Sequence, residues 1–281
     1  MTDFPPTATN ETKHTDIAVY IMTHGPACTW LADYCVPMEL GAACRHNHCC
    51  ELRDDTGDNI SNKDNKYCEL TGLYWMWKND THNIIGLYHY RRVFNLSAGK
   101  IRQYLKTNDI IVTSDIKKPT IEEEYYSYPG HVKSDWLLLK SILHTDYPDY
   151  SITFEKMIQS SCMYGFNMFI TRREILNAYC EWLFPILSKI ESAITMDNRT
   201  PAQKRVFGYL SERLFHLYIE HNHLKAKRVN ISLVPPYYPL SPKCPKTIQK
   251  LLSSNIAIYT FSLKLQDSIV NILIKTGIKK R

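Results

Sequence analysis

At 281 residues, with 44% apolar and 22% charged side chains, the chain has the composition of a folded protein with a substantial core, which excludes fibrous and wholly disordered classes. Its formal charge of +6 is uneven: residues 240–281 carry +7 and the remainder −1, so the basic character belongs to a tail and argues against a nucleic-acid-binding face. Nine cysteines without framework spacing, and no secretory leader, read as reduced thiols of a cytosolic protein.

Residues 1–15 hold Pro5-Pro6 and no apolar period, and read as disordered. Ile17–Thr23 is a first buried strand, ending in Thr23 and His24. Cys44, His46, His48, Cys49 and Cys50 are metal-ligating types, but their alternate and adjacent positions are not the paired spacing that closes a tetrahedral zinc site. Asp54–Ser61 (DDTGDNIS) is a turn-rich loop around Gly57. Tyr67–Lys78 has helical spacing, with Tyr67, Leu70, Tyr74 and Trp77 on one face, and Trp75 and Trp77 are core candidates. Ile84–Arg92 is an apolar strand running into His89, Arg91 and Arg92. A buried strand that delivers cations at its C-terminal end is how open α/β sheets build ligand sites, here for an anion.

Ser97 caps a helix reaching about Lys106, and Asp109–Thr113 is a strand. Ser114–Pro129, with Glu122–Glu124 and several tyrosines, reads as a surface excursion. Helices follow over Val132–His144 and Ser151–Ser160, then a strand over Cys162–Thr171. A long helix over Arg172–Ile194, bent at Pro185, precedes a helix over Ala202–Asn222 and a last strand over Val229–Val234. This alternation predicts an α/β sheet between helices. Residues 235–245 form a Pro-rich linker to a basic tail, residues 246–281. Within the tail, Ile256–Ile278 is apolar but interrupted by Lys264, Asp267 and Lys275. It therefore reads as an amphipathic helix on an anionic membrane, or one packed on the domain, and not as a span.

DDTGDNISNKDNKYCELTGLYWMWKN (Asp54–Asn79) followed by IIGLYHYRRVF (Ile84–Phe94) resembles a bacterial family of capsular and surface polysaccharide glycosyltransferases, some of whose members transfer galactofuranose. Thr23-His24, YGFNMFI (Tyr164–Ile170), WLFPIL (Trp182–Leu187) and RVFGYLSERLF (Arg205–Phe215) fit the same family in matching order. The resemblance implies a GT-A-like nucleotide-sugar domain over residues 16–234, with a mixed central sheet flanked by helices. It also implies a UDP-sugar donor, best guess UDP-galactofuranose, and a lipid-linked glycan acceptor in capsule or O-antigen synthesis. The protein would then work as a hexosyltransferase at the inner face of the plasma membrane.

Many GT-A enzymes neutralise the leaving diphosphate with a metal held by Asp-x-Asp at the end of a central strand. Here the comparable strand ends in His89-Tyr90-Arg91-Arg92. An arginine fork pairs with phosphate oxygens and keeps its charge, so Arg91 or Arg92 is assigned the diphosphate and no cofactor is required. The alternative is that these arginines pair with strand-end carboxylates. Thr23, His24, Asp55, Asp58, Asn59, Ser61 and His89 complete the donor-side candidates implied by the family. Asp54, Asp55 and Asp58 are also the alternative metal ligands, for Mn2+ or Mg2+, in a phosphoryl-transfer or hydrolytic reading.

Glu212 is the candidate base, by its place in chain order after the last strand–helix unit, with a solvated helix face as the alternative. His131, Tyr164 and Asn167 are candidates for sugar or acceptor contact. A non-catalytic carbohydrate- or nucleotide-binding component of an assembly complex is the competing class.

Overall fold

Seven consecutive buried residues form β1 (Ile17–Thr23), and their burial on both sides has a direct cause. Ala18, Tyr20 and Met22 pack into a large cluster on one face, while Ile17, Val19 and Ile21 pack into a smaller cluster on the other. The computed structural model describes residues 16–25, 32–114, 116–117 and 119–233. The N-terminal segment, the linker and the basic tail of the sequence reading lie outside the described residues.

After β1 come β2 (Cys35–Glu39), β3 (Leu52–Arg53), α1 (Asp64–Tyr67), α2 (Leu70–Asn79), β4 (Ile84–His89) and β5 (Arg92–Phe94). Then follow α3 (Ala98–Leu105), β6 (Ile110–Thr113), β7 (Ile116–Lys117), α4 (Ile121–Ser127), α5 (Lys133–Asp146), α6 (Pro148–Met157), β8 (Cys162–Met163) and β9 (Phe169–Arg172). The described chain closes with α7 (Arg173–Ala193), α8 (Val206–His221), β10 (Ala226–Val229) and β11 (Ile231–Leu233).

The main sheet has nine strands on the path β10-β6-β9-β4-β1-β2-β3, with β5 branching from β4 to pair with β11. β1 is parallel to β2 and β4, and β2 to β3, so their C-terminal ends share one edge. β9 lies antiparallel between β4 and β6, with Leu87 opposite Phe169. Its N-terminal end, and the turn before it, therefore reach that same edge. Gly86 makes the pairing close: a Cβ there would sit 2.7 Å from the Phe169 carbonyl oxygen.

Several expectations from sequence need correction. The helix read over Tyr67–Lys78 breaks at Cys68, whose φ of 51° ends α1 before α2 starts. Trp75 is buried and donates Nε1–H to the Thr56 hydroxyl, whereas Trp77 is only half-buried and stacks on Phe184. The strand read over Cys162–Thr171 splits into β8 and β9 around Phe166 and Asn167, which hold φ of 68° and 50°. Residues 114–129 are no simple surface excursion, because α4 is capped by Thr120 and buries Ile121 and Tyr125. The stretch read as a last strand holds two, β10 and β11. Ser97 caps α3 as its sequence position predicts, accepting from the Lys100 amide at 3.2 Å.

Candidate active site

The turn between β8 and β9 organises the strand-end edge. Two adjacent non-glycine residues in the left-handed region cost energy that the surroundings must offset, and here every exposed end of the turn is held. The Phe166 carbonyl accepts from His89 Nε2–H at 2.6 Å, so the last residue of β4 grips the turn. The buried Asn167 amide donates to Glu69 at 2.7 Å and to the Ser211 hydroxyl at 2.8 Å. Glu69 itself follows the strained Cys68 and is nearly buried. The structure thus gathers the end of β4, the junction between α1 and α2 and the middle of α8 around one turn.

Glu212 stands at the centre of this arrangement. The solvated-face alternative is overturned: α8 is buried around most of its circumference, and the Glu212 side chain is only 23% exposed. Burial pushes its carboxyl up to about 7, opposed by the neighbouring Arg213 charge, reinforced by Glu69 and Glu124, and opposed again by the Phe166 backbone N–H. A carboxyl with that value is a matched proton acceptor near neutral pH. Arg213 locks the group from behind. Its buried guanidinium pairs with Glu124, contacts Glu212 at 3.3 Å and donates to the Tyr209 carbonyl at 2.9 Å.

Across the turn lie the two strand-end arginines. Arg92 sits over the Phe166 ring at 4.3 Å and Arg91 over the Tyr90 ring at 4.9 Å. Among the described residues neither arginine has a carboxylate partner, which removes the ion-pairing alternative within them. Arginines held by aromatic faces keep their hydrogen-bond donors free for an anion.

Next along the edge, His24 Nε2–H donates to the Asp64 carboxylate at 3.0 and 3.1 Å and is about half exposed. Arg45 donates to the His24 carbonyl at 2.7 Å. Thr23 is buried, its hydroxyl closing a local loop with the Gly25 backbone.

The Asp54–Ser61 loop is engaged mainly with the protein itself. Asp54 is fully buried and accepts from the Gly41 and Ala42 amides at 2.9 and 3.1 Å and from the Ser61 hydroxyl at 2.5 Å. Asp55 pairs with Arg53 at 3.1 Å, and Asp58 accepts from the Tyr74 hydroxyl at 3.1 Å. Asn59 bonds the Gly57 carbonyl and the Ser61 amide. The three carboxylates offered as an alternative metal site, Asp54, Asp55 and Asp58, are each directed at a different protein partner. Among the described residues no three His, Cys, Asp or Glu side chains form a metal-binding group, Cys44–Cys50 included. Ser61, buried with both sides of its hydroxyl engaged, is likewise part of the loop's frame and not a ligand contact.

A family model described as a domain of unknown function, DUF4422, matches residues 18–223. The chain belongs to the DUF4422 family. No curated protein matches it. Among solved structures it is similar to the apo form of WbbM, a bifunctional glycosyltransferase, at 28% identity with a TM-score of 0.74. That match covers 81% of this chain and 48% of the other, so the chain spans about half of that protein. The DUF4422 domain has a GT-A-like fold, a mixed sheet flanked by helices, with the candidate site at the strand-end edge where such folds bind ligands.

The remaining candidates separate. His131 stacks on Tyr125 at 4.2 Å and lies 4.5 Å from the Tyr209 ring, close to the Glu212 face of α8. Tyr164 does not open onto the site: it is buried against His216, and its hydroxyl accepts from Arg228 at 3.2 Å. Asn167 acts inward, through Glu69 and Ser211.

Sequence reasoning on the DUF4422 domain missed Glu69, Asp64, Arg45, Glu124 and Arg213. Glu69 had a usable signal, since a lone acid in the apolar run from Tyr67 to Trp77 must find a partner when buried.

Proposed function

We propose that this protein is a glycosyltransferase that takes a sugar from a UDP-sugar and passes it to a glycan acceptor. The observation that carries the reading is a pair of arginines after β4 that lack carboxylate partners among the described residues, with Arg92 lying over the ring of Phe166, whose backbone N–H meets Glu212. Arg91 and Arg92 receive the diphosphate and offset the charge that grows as the glycosidic bond breaks. Glu212 takes the proton of the attacking hydroxyl, and His24, with Asp64 behind it, lines the donor side. Similarity to the bifunctional glycosyltransferase WbbM supports the reaction class. Galactofuranose as the sugar, a lipid-linked acceptor, and a role in capsule or O-antigen synthesis follow from the sequence resemblance.

Among the described residues the end of β4 offers no carboxylate pair for the divalent metal that many GT-A enzymes use, which supports transfer without one. His89, Tyr90, Arg91 and Arg92 occupy the strand end, and no step of the proposed reaction passes through a metal. The protein would sit at the inner membrane face through its basic tail. Within the described residues no helix is long and apolar enough to cross a membrane.

A panel of nucleotide-sugars that includes UDP-galactofuranose tests the reading. The matching donor should raise Tm through mass action and release UDP faster with acceptor than without, in excess chelator as well as in its absence. Binding without turnover on any acceptor would make the protein a carbohydrate- or nucleotide-binding component. Loss of turnover on chelation, restored by Mn2+ or Mg2+, would overturn the arginine assignment.

A further inference from the structure

We infer that Tyr128, His131 and Tyr209 form a subsite that holds a pyranose ring of the acceptor by its C–H face, beside Glu212. The inference rests on the glycosyltransferase reading and names the acceptor side of the same site. Tyr209 lies three residues before Glu212, so the two project from one face of α8, and Arg205 caps the start of that helix. The Tyr209 ring meets Tyr128 at 5.8 Å and 73°, and His131 at 4.5 Å and 65°. His131 closes the triangle at 4.7 Å from Tyr128.

The back of this wall is fixed. His131 stacks on the fully buried Tyr125 and donates Nδ1–H to its carbonyl at 2.9 Å. Its front is open, because Tyr128 is 47% exposed and Tyr209 half-buried. Gly130 brings the loop against both rings: a Cβ there would lie 2.6 Å from the Tyr128 ring and 3.1 Å from the Tyr209 hydroxyl. Tyr128 thus leaves much of its ring open to solvent beside Tyr209, one helical turn from Glu212.

The chemistry of the wall selects the ligand class. Aromatic faces accept a sugar's run of C–H bonds, and the phenol and imidazole edges meet its hydroxyls. The Arg205 guanidinium lies over the Tyr209 ring at 5.8 Å and Glu212 follows one turn along α8, and charges so close disfavour a lipid chain or an apolar peptide. A pyranose with three contiguous C–H bonds on one face, as in β-galactopyranose, fits this lining. A ring stacked on Tyr128, with the near-perpendicular Tyr209 at its edge, would present its hydroxyls along α8 toward the Glu212 carboxyl.

Saturation-transfer NMR on the full chain tests this with methyl β-galactopyranoside, methyl β-glucopyranoside and methyl α-mannopyranoside as probes. The strongest transfer should reach H3, H4 and H5 of the galactoside. Tyr128→Ala and Tyr209→Ala should each weaken its binding by about tenfold, while Tyr209→Phe retains the stacking. The Tm shift given by the nucleotide-sugar should stay unchanged. Tyr128→Ala remains decisive if Tyr209→Ala fails to fold, because Tyr128 is exposed. Equal glycoside binding in Tyr128→Ala, or no binding of any probe to the wild type, would overturn the subsite. Glycoside binding that depends on Tyr128, in a protein that no nucleotide-sugar stabilises, would uphold the subsite and sink the transfer reading.

Discussion

Glu212 makes opposite demands on stability and on activity. Its carboxyl is raised from 4.5 to about 7, so between these values the folded chain keeps a proton that the unfolded chain has released. Stability from this group is therefore complete below pH 4.5 and declines as pH rises through 7. Glu212→Gln should stabilise the protein by about 2–3 kcal/mol at pH 8 and by little at pH 4.5, which denaturant titrations at the two pH values would measure. The same substitution should slow transfer by about 10²–10⁴-fold and remove the limb on which kcat/KM rises through pH 7. A near-normal rate, or an unchanged pH limb, would end its role as base. Arg91 and Arg92 make a second test. Each lies on an aromatic face with no carboxylate partner among the described residues, so replacing it orphans no buried charge there. Arg91→Ala or Arg92→Ala should cost roughly 10²–10³-fold in transfer with Tm nearly intact. Full activity in both variants would remove the diphosphate assignment.

Among the elements, the strained turn before β9 links the two halves of the site. His89 holds its carbonyl, Glu212 accepts its amide, and Asn167 ties it to Glu69 on the far side of the Cys68 break. The charged neighbours of Glu212 are Glu69 beside α2, Glu124 on α4 and Arg213 on α8 itself. Removing one carboxylate from that set should lower the value at which Glu212 loses its proton. Glu69→Gln keeps an oxygen that accepts from Asn167, and should move the pH limb of kcat/KM toward acid by about one unit. An unmoved profile with simple loss of stability would make Glu69 a packing group alone. Sequence periodicity found β1, β4, α3, α5 and α7 because each carries an uninterrupted apolar pattern. It missed the breaks at Cys68 and Phe166-Asn167, where tertiary contacts impose positive φ on Cys68 and Phe166, which have no preference for it, beside an asparagine that tolerates it. It also missed β3, whose two residues are too short to show any period. The arginines stood out as charges at the end of a patterned strand, and Glu212 as an acid within a patterned helix. Glu69 was legible only as a lone acid in an apolar run, and Glu124 and Arg213 not at all, since their roles arise only when distant segments meet.

At the scale of the whole molecule, charge divides the chain into a nearly neutral domain and a cationic end. Residues 240–281 carry eight basic side chains against one acid, beside an apolar run. An acceptor anchored in lipid would keep the chemistry near a membrane surface, and the domain offers no described helix that could span one. Each basic residue close to an anionic surface contributes about 1 kcal/mol, so even a few of the eight in contact suffice for reversible attachment. The attraction is electrostatic in the main, and raising ionic strength from about 0.01 M to 1 M shortens its range from about 30 Å to 3 Å. The full chain should therefore co-sediment with phosphatidylglycerol-containing vesicles at low salt and leave them at high salt, while ignoring phosphatidylcholine vesicles throughout. Binding that persists in high salt would point to burial of the apolar run as the dominant force. Absence of binding to either vesicle would end the membrane assignment, and would favour an acceptor that reaches the enzyme in soluble form.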